Sequence, residues 1–205
     1  EPWTPAGGFK AVPALKASHA DKLDQFAQGK PGRGTPTHMH NAMISPLLPY
    51  AIKGAIWYQG ESNNGEGMLY HEKMKALIAG WRSVWNKPDL PFYFVQLAPY
   101  KYRGDPKSLP GIWQAQLETL KVPHTGMAVT TDITTLTNIH PPNKPGVGKR
   151  LALWALAKVY KKPIVHRGNE YIYMKAKEDK LYLFFDQDPV VHERWKHVEN
   201  NAYWQ

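Results

Sequence analysis

Residues 56–63, Ile56-Trp57-Tyr58-Gln59-Gly60-Glu61-Ser62-Asn63, join a short apolar, aromatic run directly to a turn of two carboxamides, a glycine, a carboxylate and a hydroxyl. A buried strand looks like this where it delivers polar groups to the rim of a sheet. Ser62 stands where a nucleophile would first be sought. The flanking sequence decides both the fold and the role of that serine.

Downstream, Leu69, Met74, Leu77, Ile78, Trp81, Val84 and Trp85 recur at spacings of three and four, which predicts a helix over 67–85 ended by Asn86-Lys87-Pro88. Phe92 to Leu97 is a nearly continuous apolar run, the form of a strand buried on both faces. A helix near 111–121, a strand over 126–131 and a helix over 145–160 follow; the last has Pro145 in its first turn and Val147, Leu151, Trp154, Ala155 and Val159 facing inward. Gly54 to Tyr58 is the strand that opens this series. Alternating strands and helices predict βαβ crossovers on a parallel sheet, an α/β fold whose functional loops lie at the carboxyl ends of the strands. Three loops are therefore expected to converge: 59–65, 98–108 and 132–143.

Upstream, residues 1–12 read as a Pro- and Gly-rich loop. A helix is expected from Pro13, with Leu15, His19, Leu23 and Phe26 or Ala27 along one side, ending at Gly29, followed by the breaker-rich stretch 30–37. Beyond the last helix, 171–175 and 181–186 alternate apolar and polar around Lys177-Glu178-Asp179, a hairpin pattern. Residues 1–162 are thus expected to form the α/β domain, and 163–205 a hairpin and tail that begin a β-rich appendage. Residues 187–205, with His192 and His197, carry no clear period.

The 205 residues are 42% apolar, and no apolar run approaches the roughly 20 residues of a membrane-spanning helix. The net charge of +9 comes from 26 Lys and Arg scattered singly, with no stripe suited to tracking phosphates, so neither a nucleic-acid nor a membrane partner is expected. There is no Cys, which excludes disulfides and thiolate metal sites. His38 and His40 have no third ligand nearby in sequence, and no metal or organic cofactor is expected.

The third loop holds Asp132, Asn138 and His140, the last just ahead of Pro141-Pro142. His140 is placed either as a general base or as a loop histidine with a structural hydrogen bond. Asp132 is either its acidic partner or a cap on the loop backbone. A base needs a nucleophile. The five serines are Ser18, Ser45, Ser62, Ser83 and Ser108, and none lies in a strained strand-to-helix elbow.

The stretch Pro46-Leu47-Leu48-Pro49-Tyr50-Ala51-Ile52-Lys53-Gly54-Ala55-Ile56-Trp57-Tyr58-Gln59-Gly60-Glu61-Ser62-Asn63 resembles the signature of the sialate O-acetylesterase family of SGNH-type carbohydrate esterases. Phe94 to Ala98, Gly126 to Asp132, Ile139 to Lys144 and Val147 to Ala157 resemble further family segments in the same order. The resemblance implies a flavodoxin-like three-layer α/β/α fold with a parallel sheet, of SGNH hydrolase type, here N-terminally truncated and carrying a short β-hairpin tail. It implies hydrolysis of O-acetyl esters on sialic acid or related sugars by a Ser-His mechanism. His140 would be the base, oriented by Asn138 or Asp132. Gln59, Gly60, Glu61 and Asn63 would line the oxyanion and substrate site, and Ser62 would be a structural or substrate-facing hydroxyl. The nucleophile is expected in a Gly-Gln-Ser-Asn turn upstream of Glu1, on a missing segment or chain, so that this chain alone would be inactive. A periplasmic or secreted location is implied as well. The alternative is a non-catalytic carbohydrate-binding or degenerate esterase module.

Overall fold

The computed structural model describes residues 1–186 other than Pro31, Arg33, Pro49 and Arg103; the expectations for 187–205 lie outside the described residues. Two compact units are present, one over Glu1–His166 and a second beginning at Arg167.

The first unit is built on a parallel sheet of β1 (Ala55–Trp57), β2 (Phe92–Val95) and β3 (Thr125–Ala128), in that spatial order. Ala55 lies opposite Phe92, and Val95 opposite Ala128. Helices α3 (Leu69–Val84) and α4 (Ser108–Thr119) make the crossovers, and α5 (Lys144–Lys158) follows β3. Side-chain alternation along β2 divides the core. Phe92 and Phe94 pack with Met74, Leu77, Ile78 and Ile112 of α3 and α4, whereas Tyr93 and Val95 pack with Val147 and Leu151 of α5. Helices therefore cover both faces, giving the expected three-layer α/β/α arrangement. Every residue of β2 is buried, as its unbroken apolar run predicts. Full burial of a phenylalanine or valine of this kind stabilises the fold by about 1.5–3 kcal/mol.

Two expectations upstream of β1 are corrected. Residues 6–10 are not loop but a one-turn helix, α1 (Ala6–Lys10), opened by Pro5, whose ring fixes an extended approach. Gly7-Gly8 disfavours a helix on propensity, but Gly8 lets α1 press against α3, where an added Cβ would stand 2.1 Å from the Ala76 carbonyl oxygen. Phe9 is buried beneath it with Leu15. The second correction concerns 13–28, which is broken rather than continuous: 3-10 turns at Pro13–Leu15 and Ala20–Lys22 precede α2 (Leu23–Gln28). Ser18 Oγ, 2.8 Å from His19 Nδ1, interrupts the helix with a local side-chain bond. Leu15 and His19 are nonetheless buried, as expected.

The second unit contains an antiparallel hairpin of β4 (Tyr171–Lys177) and β5 (Lys180–Phe185), as the alternation around residues 177–179 predicts. Tyr173 stacks on Phe184 at 4.3 Å, and Arg167 Nη2 pairs with Asp186 Oδ2 at 2.5 Å. No helix among the described residues is long and apolar enough to cross a membrane.

Candidate active site

The chain leaves β1 at Tyr58 and turns at once into a 3-10 turn, Glu61–Asn63. Three bonds hold that turn. Tyr70, near the start of α3, donates its hydroxyl to the Gln59 carbonyl at 2.8 Å. Glu61 Oε2 accepts the Gly60 N–H at 3.0 Å, and Gln59 Nε2 donates to Asn63 Oδ1 at 3.1 Å. Gly60 is needed for close approach, since a Cβ there would lie 3.2 Å from the Tyr70 hydroxyl. Burial raises the Tyr70 pKa, so the phenol stays a neutral donor. The Gln59–Asn63 bond satisfies Asn63 Oδ1 and fixes the plane of that carboxamide, leaving its NH2 group as a pair of oriented donors. Ser62 is exposed, and its hydroxyl has no hydrogen-bond partner among the described residues.

The second loop, 98–108, is anchored from α4. Gln116, almost wholly buried, accepts the Leu97 N–H at 2.9 Å and donates to the Val95 carbonyl at 3.0 Å. Trp113 Nε1 donates to the Leu97 carbonyl at 2.7 Å. Tyr100 and Tyr102 meet edge to face at 5.1 Å. Burial, reinforced by the charge of Glu61, pushes the Tyr102 hydroxyl up to about 12. The Lys101 N–H donates to the Leu136 carbonyl at 3.1 Å, joining the second loop to the third. Lys144 closes the circuit with its ammonium 4.7 Å from the centre of the Tyr58 ring. The three loops thus converge.

Within the third loop the candidates are placed as follows. Asp132 is gripped by Arg150 of α5, with Nη1 to Oδ1 at 2.6 Å and Nη2 to Oδ2 at 2.5 Å, and Arg150 Nη1 also reaches the Val129 carbonyl. That guanidinium fork holds the Asp132 carboxyl below its ordinary pKa. Asn138 Oδ1 accepts the backbone N–H of His140 at 2.9 Å, shaping the turn. His140 itself is exposed, and its imidazole has no hydrogen-bond partner among the described residues. Asp132 and Asn138 are therefore both in the loop that carries His140, yet each is engaged with another group. Asn143 caps α5, accepting the Gly146 N–H at 3.0 Å.

Three residues of the site escaped the sequence. The helical spacing points to Leu69, which is 42% exposed, whereas its neighbour Tyr70 is buried. Gln116 lies on a helix face where a polar residue gives no signal of burial. Arg150 sits within a quoted motif, but its pairing with a residue 18 positions away leaves no local trace. Trp57 is core, packed between Trp3, Trp81 and Phe92. His40 is buried in a π-helical turn, His40–Ile44, its Nδ1 3.1 Å from Asn41 Oδ1. A cavity of about 710 Å³ lies before β2 and β3, at the opposite ends of the strands from the loops. Its cations already have partners: Arg82 donates to the Leu90 and Pro123 carbonyls, Lys87 to that of Ile52, and Lys75 and Lys121 pair with Glu72 and Glu118.

Residues 16–156 match the family model described as "Carbohydrate esterase, sialic acid-specific acetylesterase". The chain is 35% identical over 188 residues to the sialate O-acetylesterase of Rattus norvegicus, covering 80% of this chain and 35% of that protein. It is 32% identical over 177 residues to the sialate O-acetylesterase of Homo sapiens, covering 77% of this chain and 34% of that one. The crystal structure of a carbohydrate acetylesterase from Xanthomonas citri superposes with a TM-score of 0.72 at 36% identity, covering 91% of this chain and 40% of that chain. The chain spans about a third of the length of the mammalian relatives it matches.

Proposed function

The chain belongs to the sialic acid-specific acetylesterase family of carbohydrate esterases, and we propose from that premise that its loop cluster is part of a site hydrolysing O-acetyl esters on sialic acid or related sugars. His140 is the base in this reading. It takes the proton of a serine hydroxyl as the oxygen attacks the acetyl carbonyl, then gives it to the departing sugar oxygen. Water enters the acetyl-enzyme by the same route, with His140 again the base, and acetate leaves. The Asn63 NH2 and the second Gln59 N–H stabilise the oxyanion that forms in each half-reaction. Asp132 and Asn138 act by shaping the loop that presents His140.

The observation that carries the reading is the state of β1. It is an edge strand of the sheet, and Ile56 in its middle is 67% exposed although it sits in an apolar run. The open backbone edge of β1 suits a further strand lying alongside, and the uncovered Ile56 suits chain packed over the same face. A serine at the carboxyl end of that strand would stand next to Gln59–Asn63. Ser62 does not serve, because it is exposed on its own turn.

Hydrolysis of p-nitrophenyl acetate and of 9-O-acetyl-N-acetylneuraminate tests this. The 205-residue chain alone is expected to show negligible turnover. Robust turnover abolished by Ser62→Ala would overturn the assignment of the loop. In the full-length relative from this family architecture, loss of activity on replacing the residue equivalent to His140, but not that equivalent to Ser62, is the expected pattern. One observation favours a second reading for the chain by itself, that of a sugar-binding module: no hydroxyl lies within hydrogen-bond reach of the His140 imidazole among the described residues.

A further inference from the structure

Glu66 lies where the first loop runs into α3, between two glycines. Gly65 and Gly67 have φ of 102° and 53°, the left-handed region that favours glycine. Neither is wedged in place: a Cβ on Gly67 would meet nothing within 4 Å, and one on Gly65 only the Ser108 hydroxyl at 3.9 Å. Backbone of this kind keeps one path only if the residue between the glycines is held.

Lys73 holds it. This residue lies on α3 one turn beyond Tyr70 and is 8% exposed. Its ammonium donates to Glu66 Oε1 at 2.7 Å and pairs with Glu1 Oε1 as well. Burial by itself would lower the Lys73 pKa, but the two carboxylates outweigh it and raise the pKa, so the ammonium stays charged. Ion pairs so far from water add little net stability, because desolvation offsets the attraction. Glu66 Oε2 is buried without a hydrogen-bond partner among the described residues, a further cost. What the pair supplies is a fixed position.

That position is passed to the carboxamide turn. The Glu66 N–H donates to the Asn63 carbonyl at 3.0 Å, and the Asn63 N–H to that of Gly60 at 2.9 Å. Tyr70 and Lys73, three residues apart on α3, therefore hold the two ends of one loop, at Gln59 and at Glu66. Donors aimed before charge develops are worth more than donors that must be ordered during the reaction. We infer that Glu66, gripped by Lys73, is a positioning residue that fixes the aim of the Gln59 and Asn63 carboxamides from outside their turn. The inference rests on the loop cluster being the esterase site, as proposed above.

The test compares the ¹⁵N-labelled 205-residue chain with Glu66→Ala, which cuts the grip but leaves Lys73 paired with Glu1. Amide exchange at Asn63 and Asn64 is expected to be about tenfold faster in Glu66→Ala, with the β2 amides unchanged. Glu66→Gln keeps an oxygen that can accept from Lys73, and is expected to restore most of the protection. Added 9-O-acetyl-N-acetylneuraminate is expected to shift the side-chain amide signals of Gln59 and Asn63 in the parent, and to bind roughly tenfold more weakly to Glu66→Ala. Unchanged loop exchange in Glu66→Ala, no rescue by Glu66→Gln, or a loss of protection that extends equally to β2 overturns the positioning role and leaves the esterase site standing. If the ester moves neither carboxamide in the parent, the esterase site falls and the inference with it.

Discussion

The pairing of Arg150 with Asp132 decides what the third loop can do. A bidentate fork fixes the carboxylate in the loop beyond β3 and ties the start of that loop to α5, so His140 is carried on a segment pinned at its base. The sign of its pH dependence follows from the lowered Asp132 pKa. The pair stabilises the fold above the unfolded aspartate value of about 4, and that contribution is lost as pH falls through the lower folded value. The Asp132 side chain is 61% exposed, so solvent screens much of the gain. Arg150→Met is expected to lower unfolding stability by about 0.5–1 kcal/mol at neutral pH. In urea titrations the gap should narrow towards the acid limit, leaving only the loss of the bond to Val129. A gap that is constant with pH would show that the ion pair contributes nothing. Residues of this kind were only half legible in the sequence. Gln59, Asn63 and His140 stand out because polar groups at the ends of apolar strands are conspicuous. Their partners do not, because a side chain bonded to backbone or to a residue far along the chain obeys no period.

Among elements, β2 and α3 were legible because each has one dominant environment and a long, regular pattern to report it. The single slip in α3, Leu69 for Tyr70, comes from its first turn, where a hydroxyl reaching back to Gln59 outweighs apolar spacing. Helix α1 was illegible for the opposite reason, since its two glycines serve a tertiary contact and weaken the local signal. Those glycines should respond differently. A Cβ on Gly8 meets the Ala76 backbone, which cannot move without distorting α3, so Gly8→Ala is expected to cost about 3 kcal/mol. Gly7 faces open space, and Gly7→Ala is expected to stabilise by about 0.5–1 kcal/mol through helix propensity. Chemical denaturation of the two variants checks the pair. Equal effects would mean that α1 does not rest on α3 through Gly8.

For the molecule as a whole, the two units differ in how their strands are held. β2 lies between two strands and two helical layers, whereas Tyr171, Ile172, Met174, Leu181 and Leu183 of the hairpin are all more than half exposed. A two-stranded hairpin without a buried face is marginal. Hydrogen exchange is therefore expected to protect the amides of β2, β3 and α3 at the level of global unfolding, and those of β4 and β5 by orders of magnitude less. Comparable protection in the hairpin would require a cover for it that its exposed side chains do not indicate.

Gln116 has a consequence that reaches beyond its two hydrogen bonds. At the carboxyl end of β2 its carboxamide plays the part of a neighbouring strand, taking one N–H and supplying one to a carbonyl. The ladder can therefore stop there without leaving thirsty backbone at the crevice floor. With the Leu97 N–H and the Val95 carbonyl both satisfied, the end of the strand has little tendency to unzip beside the crevice. This saturation also uncouples the width of the cleft from strand length, so the loops above can lengthen or change sequence while the pleat beneath them keeps its register.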